Sequence, residues 1–330
     1  MVYGGLMQLV AYGAQDVNLF KLYYIKHIIE DIVSKFEIYN IDFLGIECVK
    51  FTSSIECVDM FDFEYKAIKC TECKLVKLPK FKSIDKFKKI TYLDCSYNKL
   101  CSIKKLMYSN ELIFLNCSNN KLKIIPKKIY SLEYFDFSNN KVEDNVDFIM
   151  YPSLKYLIAS SNEITSITNL PIGLKYLDLS NNPITKLEIL PNGLKYLIIV
   201  QTKIKSINLI ELEKLEYLDI SLNNLNEECF DGLPCSLIYL NCSQCNISKL
   251  NNLPTYLTKL ICINNKIKIL DMLPESLEYL DCDHNQITKL DNLPNTLNKL
   301  ICSNNLITSL NNLPYNLTEF NSKFEKINNS

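Results

Sequence analysis

The chain contains no arginine and no tryptophan, only two histidines and only seven glycines in 330 residues. Each shortage excludes something. Without arginine, all 36 basic residues are lysines, and the forked donor that reads guanine edges or clamps phosphate bidentately is missing. His27 and His284 are too few and too far apart in sequence to form a histidine-rich metal site. Three of the glycines (Gly4, Gly5, Gly13) fall in the first thirteen residues, so no glycine-rich phosphate loop of either common type is present. Charge of one sign is also lacking: 36 basic against 37 acidic residues give no global field to attract nucleic acid or membrane. The longest apolar runs, such as Tyr196–Val200, are far too short to span a bilayer. Residues 1–16 have no basic region ahead of the apolar stretch Leu6–Ala14, so no secretory signal is expected.

What is present is a repeat. The pattern L-x-x-L-x-[LC]-x-x-N-x-[LI] starts at Ile90, Leu112, Leu132, Leu154, Leu174, Leu194, Leu215, Leu237, Leu257, Leu277 and Leu297, at spacings of 20 to 22 residues. Weaker copies start at Tyr65 and Leu317, and Phe43, Ile46 and Cys48 mark a further degenerate turn. Positions one, four and six alternate inward along a short strand and are apolar for that reason. Position nine is asparagine in nine of the eleven copies: Asn98, Asn120, Asn140, Asn162, Asn182, Asn223, Asn265, Asn285 and Asn305. A buried amide there can serve backbone groups that no sheet ladder reaches. Thr202 and Cys245 replace it.

Over residues 65–320 this pattern resembles the leucine-rich repeat family. The recurrent Leu-Pro (Leu170-Pro171 through Leu313-Pro314), three residues before the next repeat, is similar to the short subtype of secreted bacterial effectors. The resemblance implies an α/β repeat solenoid, a horseshoe of about thirteen coils with a parallel concave sheet. Twenty residues leave no room for a convex helix, and proline disfavours helix at the residue before it. Extended convex segments are expected, with short 3₁₀ turns in the more variable coils at Ile90, Leu112 and Leu215. Some effectors of this subtype carry a ubiquitin-ligase domain, which would need a couple of hundred further residues after the last coil, so that activity is not carried over.

Ahead of the repeats, Ile25, Ile28, Ile29, Ile32 and Phe36 have helical spacing and predict a short cap over the open end of the solenoid. Gly4–Val17, with Phe20-Lys21 and Tyr24–His27, resembles the opening of the major capsid proteins of giant, mimivirus-like DNA viruses, although no jelly-roll sequence follows. The expected division is a capsid-like segment and cap at 1–42, a solenoid at 43–320 and a tail at 321–330.

Candidate chemistry is sparse. Cys70/Cys73 and Cys242/Cys245 have metal-motif spacing, but each pair occupies positions six and nine of one coil. Cys48, Cys70, Cys95, Cys117, Cys242, Cys262, Cys282 and Cys302 all share position six and read as a column of buried core thiols. No metal, cofactor, small-molecule substrate or catalytic group is expected. The lysines between Lys74 and Lys89, with Lys121, Lys123, Lys127 and Lys128, read first as a solvated convex face; an anionic surface or nucleic acid as their partner is the less favoured alternative. Position three is aromatic in nine of eleven coils, on a face expected to meet solvent. Tyr134, Tyr156, Tyr176, Tyr196 and Tyr217, flanked by Lys155, Lys175, Lys195, Asp178 and Asp219, are therefore the expected protein-binding residues. An aromatic stacking ladder is the other reading of the same column. The expected role is non-enzymatic: binding an unidentified protein in the cytoplasm of a virus-infected host, or alternatively a structural part of the virion.

Overall fold

The computed structural model describes residues 67–78, 90–187, 189–225, 231–310 and 313–322. The expected cap and capsid-like segment at 1–42, the degenerate turn around Cys48 and the tail lie outside the described residues.

The described chain is a parallel-sheet solenoid. Thirteen short strands form one all-parallel sheet in simple sequential order. It runs from Ala67–Lys69 through Tyr92–Asp94, Phe114–Asn116 and Tyr134–Asp136 to Lys299–Ile301 and Glu319–Asn321. Every strand occupies positions three to five of its repeat, and the pairing is in strict register, as in Tyr176↔Tyr196, Leu177↔Leu197 and Asp178↔Ile198. The weak first and last copies pair in the same register, Ala67↔Tyr92 and Lys299↔Glu319.

The apolar positions explain the stacking. In the coil of Leu174, positions one, four, six and eleven (Leu174, Leu177, Leu179 and Ile184) are fully buried, and the same columns are buried in coil after coil. Truncating any one of these leucines to alanine would cost ~2–5 kcal/mol, because neighbouring coils cannot close the cavity. Seven of the Leu-Pro units have one geometry. The position-one amide donates to the proline carbonyl three residues earlier, as in Leu174 N to Pro171 O at 3.0 Å and Leu277 N to Pro274 O at 3.0 Å. Proline lacks an N–H, so its burial there leaves no donor stranded, and its fixed φ presets the turn into the strand.

Position eight supplies the sharp turn out of each strand. Tyr97, Asn119, Asn139, Ser161, Asn181, Gln201, Leu222, Gln244, Asn264, His284 and Asn304 all have φ between 52° and 59°. Asparagine, the L-residue that tolerates this left-handed region best, is the commonest choice.

The convex side is extended, as the proline argument requires. Among the described residues one 3₁₀ helix, Lys104–Tyr108, turns Leu106 into the core of the Ile90 coil. Among the described residues, the Leu112 and Leu215 coils contain none. A feature the sequence reading did not anticipate is a second, two-stranded parallel sheet on this side. Glu143–Asp147 pairs with Glu163–Thr168, with a register shift at Asp144/Asn145. Val146, Ile164 and Ile167 face inward from it, above the aromatic cluster of Phe135, Phe137, Phe148 and Tyr151.

Candidate functional site: the concave strand face

Strands stacked in strict register place every position-three side chain directly beside its counterpart on the next coil. At parallel-strand spacing of ~4.8 Å, flat rings then lie face to face. Tyr92 and Phe114 stack with centroids 4.3 Å apart, Phe114 and Tyr134 at 4.4 Å, and Tyr217 and Tyr239 at 4.2 Å. Tyr134–Tyr156, Tyr176–Tyr196 and Tyr196–Tyr217 are tilted at 6.0–6.5 Å.

This stacking corrects the expectation that the tyrosines meet solvent. Tyr134, Tyr156, Tyr176 and Tyr217 are only 2–7% exposed, and Tyr196 is half-buried. Each ring hides the faces of its neighbours and presents little beyond an edge. Burial also pushes the phenols of Tyr134, Tyr176 and Tyr217 well above the ordinary tyrosine range, so they stay neutral.

The column does not stop where the aromatics stop. Lys259 lies between Tyr239 and Tyr279, its ammonium 5.7 Å and 4.2 Å from the two ring centres, and Lys299 covers the other face of Tyr279 at 5.4 Å. Lys299 also pairs with Glu319 at 2.8 Å. The result is a Tyr-Lys-Tyr-Lys-Glu stack in which cation–π attraction replaces ring stacking. Sequence reasoning treated Lys259 and Lys299 as exceptions in the aromatic column. The signal that identifies them is their alternation with tyrosine at one repeat position.

Asp178 and Asp219 are also not open to solvent. Asp178 accepts from the Ser180 amide at 3.0 Å, and Asp219 from the Ser221 amide and hydroxyl at 3.1 and 2.6 Å. The same turn recurs at Asp94/Ser96, Asn116/Ser118, Asp136/Ser138 and Asn241/Ser243. Position five thus fastens the strand exit. Burial raises Asp136 to about 6, opposed by the hydrogen bonds from Ser138. Asp281 is likewise raised to about 6, mainly by burial.

Position two forms the charged rim. Lys155 pairs with Glu133 at 2.8 Å and Lys195 with Glu216 at 2.6 Å, two acidic partners that the sequence reading missed although they occupy the same repeat position. Between them Lys175 is exposed and makes no ion pair among the described residues.

Behind the strands runs the asparagine column. Asn182 Nδ2 donates to the carbonyls of Ala159 in the preceding coil (2.9 Å), Leu179 (3.0 Å) and Ser180 (3.2 Å), and Oδ1 accepts from Ile164 N at 3.1 Å. Asn98, Asn120, Asn140, Asn162, Asn265, Asn285 and Asn305 repeat this arrangement, as do the Asn223 donations. Where cysteine replaces asparagine, Cys245 Sγ donates to Ile220 O in the preceding coil at 3.1 Å, and Cys73 Sγ donates to Thr71 O at 3.3 Å. Both positions are thus used as hydrogen-bond donors to backbone. Cys95, Cys117, Cys242, Cys262 and Cys282 are buried, and burial drives their thiols well above the usual range; Cys302 is raised to about 12. Among the described residues, no group of three or more His, Cys, Asp or Glu side chains is arranged to hold a metal.

A family profile described as Leucine Rich Repeat matches residues 173–197 and 276–300. A search among curated protein sequences finds no match. Solved structures with the same architecture include YopM from Yersinia enterocolitica, at 27% identity and TM-score 0.59, aligned over 76% of this chain and 62% of that one. The functional domain of InlJ from Listeria monocytogenes, which includes a cysteine ladder, shares 26% identity at TM-score 0.60, over 74% of this chain and 64% of that one. The leucine-rich effector YopM from Yersinia pestis aligns at 22% identity and TM-score 0.58, over 79% and 84% of the two chains. The chain thus spans slightly under two thirds of the first two.

Proposed function

We propose that this leucine-rich-repeat chain is a non-enzymatic module that binds a protein partner along its concave strand face. Leucine-rich-repeat proteins generally serve as protein-interaction modules, and a continuous parallel sheet offers a long surface rather than a pocket. The observation that carries the reading is the central rim: Lys175 exposed between two lysines that are already tied to Glu133 and Glu216, with the half-buried Tyr196 on the next strand, its amide bonded to Lys175 O at 3.0 Å. A partner would meet ring edges and one uncommitted cation, a combination suited to an acidic group set beside an apolar one.

The test compares Lys175→Glu/Tyr196→Ala with Lys127→Ala/Lys128→Ala on the convex side. With a partner captured by the wild-type chain, the concave pair should weaken binding more than tenfold and the convex pair less than twofold. The reverse pattern would end the concave-face reading.

The setting proposed is the cytoplasm of a host cell infected by a giant DNA virus, on the capsid-like resemblance of Gly4–Val17. The same segment supports a second reading, recruitment into the virion as a structural component. Presence of the chain in purified particles, as opposed to infected-cell lysate only, separates the two.

A further inference from the structure

Charge is balanced over the whole chain but not along it. Residues 70–141 hold fifteen lysines against six acidic residues, a net charge of +9, and the remaining residues hold 21 against 31, a net charge of −10. Part of this excess is organised. Position ten follows the asparagine column, and its amide bonds to the preceding coil: Lys99 N to Leu75 O at 2.8 Å, Lys121 N to Leu100 O at 2.9 Å and Lys141 N to Leu122 O at 2.8 Å. Those bonds fix position ten as a straight column with one residue per coil. On four successive coils its occupants are Lys74, Lys99, Lys121 and Lys141, all exposed. None of the four makes an ion pair among the described residues, although neighbouring Lys123 pairs with Glu143 at 3.0 Å. The column ends at Glu163. Beyond it, position ten reads Pro183, Lys203, Asn224, Asn246, Lys266, Gln286 and Leu306, so no two lysines are adjacent again.

Four like charges held one coil apart, ~5 Å by strand spacing, repel each other and attract an extended anion. We propose that this lysine column is a second docking site, separate from the concave face, for an extended acidic polypeptide segment. Same-face side chains of an extended strand recur every ~6.6–6.8 Å, so three carboxylates span ~13 Å, within the ~15 Å covered by four lysines. The column favours a peptide over nucleic acid because it lacks the parts that grip bases. There is no arginine, and of the residues two places earlier (Glu72, Tyr97, Asn119, Asn139) one alone is aromatic. Asn119 and Asn139 place side-chain amides beside the column, and such groups can hydrogen-bond peptide as well as carboxylate.

Fluorescence anisotropy of the full chain with a labelled deca-glutamate peptide tests this, with a labelled ten-nucleotide single-stranded DNA as competitor class. The peptide should bind, more tightly than the DNA, and weaken as salt rises. Lys99→Glu/Lys121→Glu should reduce peptide affinity at least tenfold. Lys203→Glu/Lys266→Glu, the same charge change at isolated members of the same column, should alter it less than threefold. Lys99→Gln/Lys121→Gln repeats the test should the glutamate pair fail to fold. Absence of peptide binding, tighter binding of the DNA, or equal losses in the two pairs would each overturn the proposal. The concave substitutions Lys175→Glu/Tyr196→Ala leave this site intact, so failure of one reading is distinguishable from failure of the other.

Discussion

Replacing Asn182 with leucine tests the central structural argument, because the branched shape and heavy-atom count of the side chain are kept while every hydrogen bond it makes is lost. Asn182 is 3% exposed and makes three donated bonds and one accepted bond, spanning three segments of two coils. Ala159 O keeps the bond from Asn162, and Ser180 O keeps that from Ser161 N. The Leu179 carbonyl and the Ile164 amide depend most on the lost side chain. Two buried groups left unsatisfied at ~1–3 kcal/mol each cost about 2–6 kcal/mol. At roughly 2–4 °C per kcal/mol for a domain of this general size, the melting midpoint should fall by at least ~4 °C. Asn181→Leu, one residue earlier and exposed, is the comparison. It is not cost-free, because position eight has φ 55° and a leucine there pays ~1–2 kcal/mol of backbone strain, as native Leu222 does at φ 59°. The expected order of midpoints is therefore wild type, Asn181→Leu, then Asn182→Leu. Asn182→Cys should fall between the last two, since the Cys245 thiol already donates to the carbonyl that asparagine serves elsewhere. Equal midpoints for Asn181→Leu and Asn182→Leu would refute the assignment of position nine as the backbone-bonding column.

Three further outcomes are expected. Tyr176→Ala should destabilise the chain by ~3–5 kcal/mol in chemical denaturation, because the ring is buried between neighbours, whereas Tyr176→Phe should cost under ~1 kcal/mol; a neutral alanine variant would show that the stack contributes nothing to stability. Asp136 is raised to about 6, so its contribution is fully present below the unfolded carboxylate value near ~4 and is lost as pH rises through about 6. Asp136→Asn, which copies Asn116 and Asn241 at the same position, should therefore raise the midpoint at pH 7.5 and leave it nearly unchanged at pH 4; an equal shift at both pH values would contradict this. A bulky thiol reagent at pH 8 should label Cys101 and Cys235, which are exposed, and spare Cys95, Cys117, Cys242, Cys262 and Cys282 until the chain is unfolded; stoichiometric bound zinc by elemental analysis would overturn the reading of these cysteines as core thiols.

The linear sequence determined the architecture because the repeat is a statement about one coil. Leucine at positions one and four, leucine or cysteine at six and asparagine at nine each answer a demand made within a coil or by its adjacent backbone. Their spacing fixes the strand at positions three to five and the register of every pairing, even for the decayed copies at Tyr65 and Leu317. The Leu-Pro spacing likewise excluded a convex helix by chain length alone. Stacking decided the rest. Whether Tyr176 faces water depends on how near Tyr196 lies, and only coils at strand spacing turn an outward column into a buried one. That same proximity inserts Lys259 between Tyr239 and Tyr279, draws Lys155 and Lys195 to their glutamates, and leaves Lys175 and the column from Lys74 to Lys141 without an ion pair among the described residues. These are distances between residues about twenty positions apart, and burial and charge compensation are set by such distances rather than by residue type.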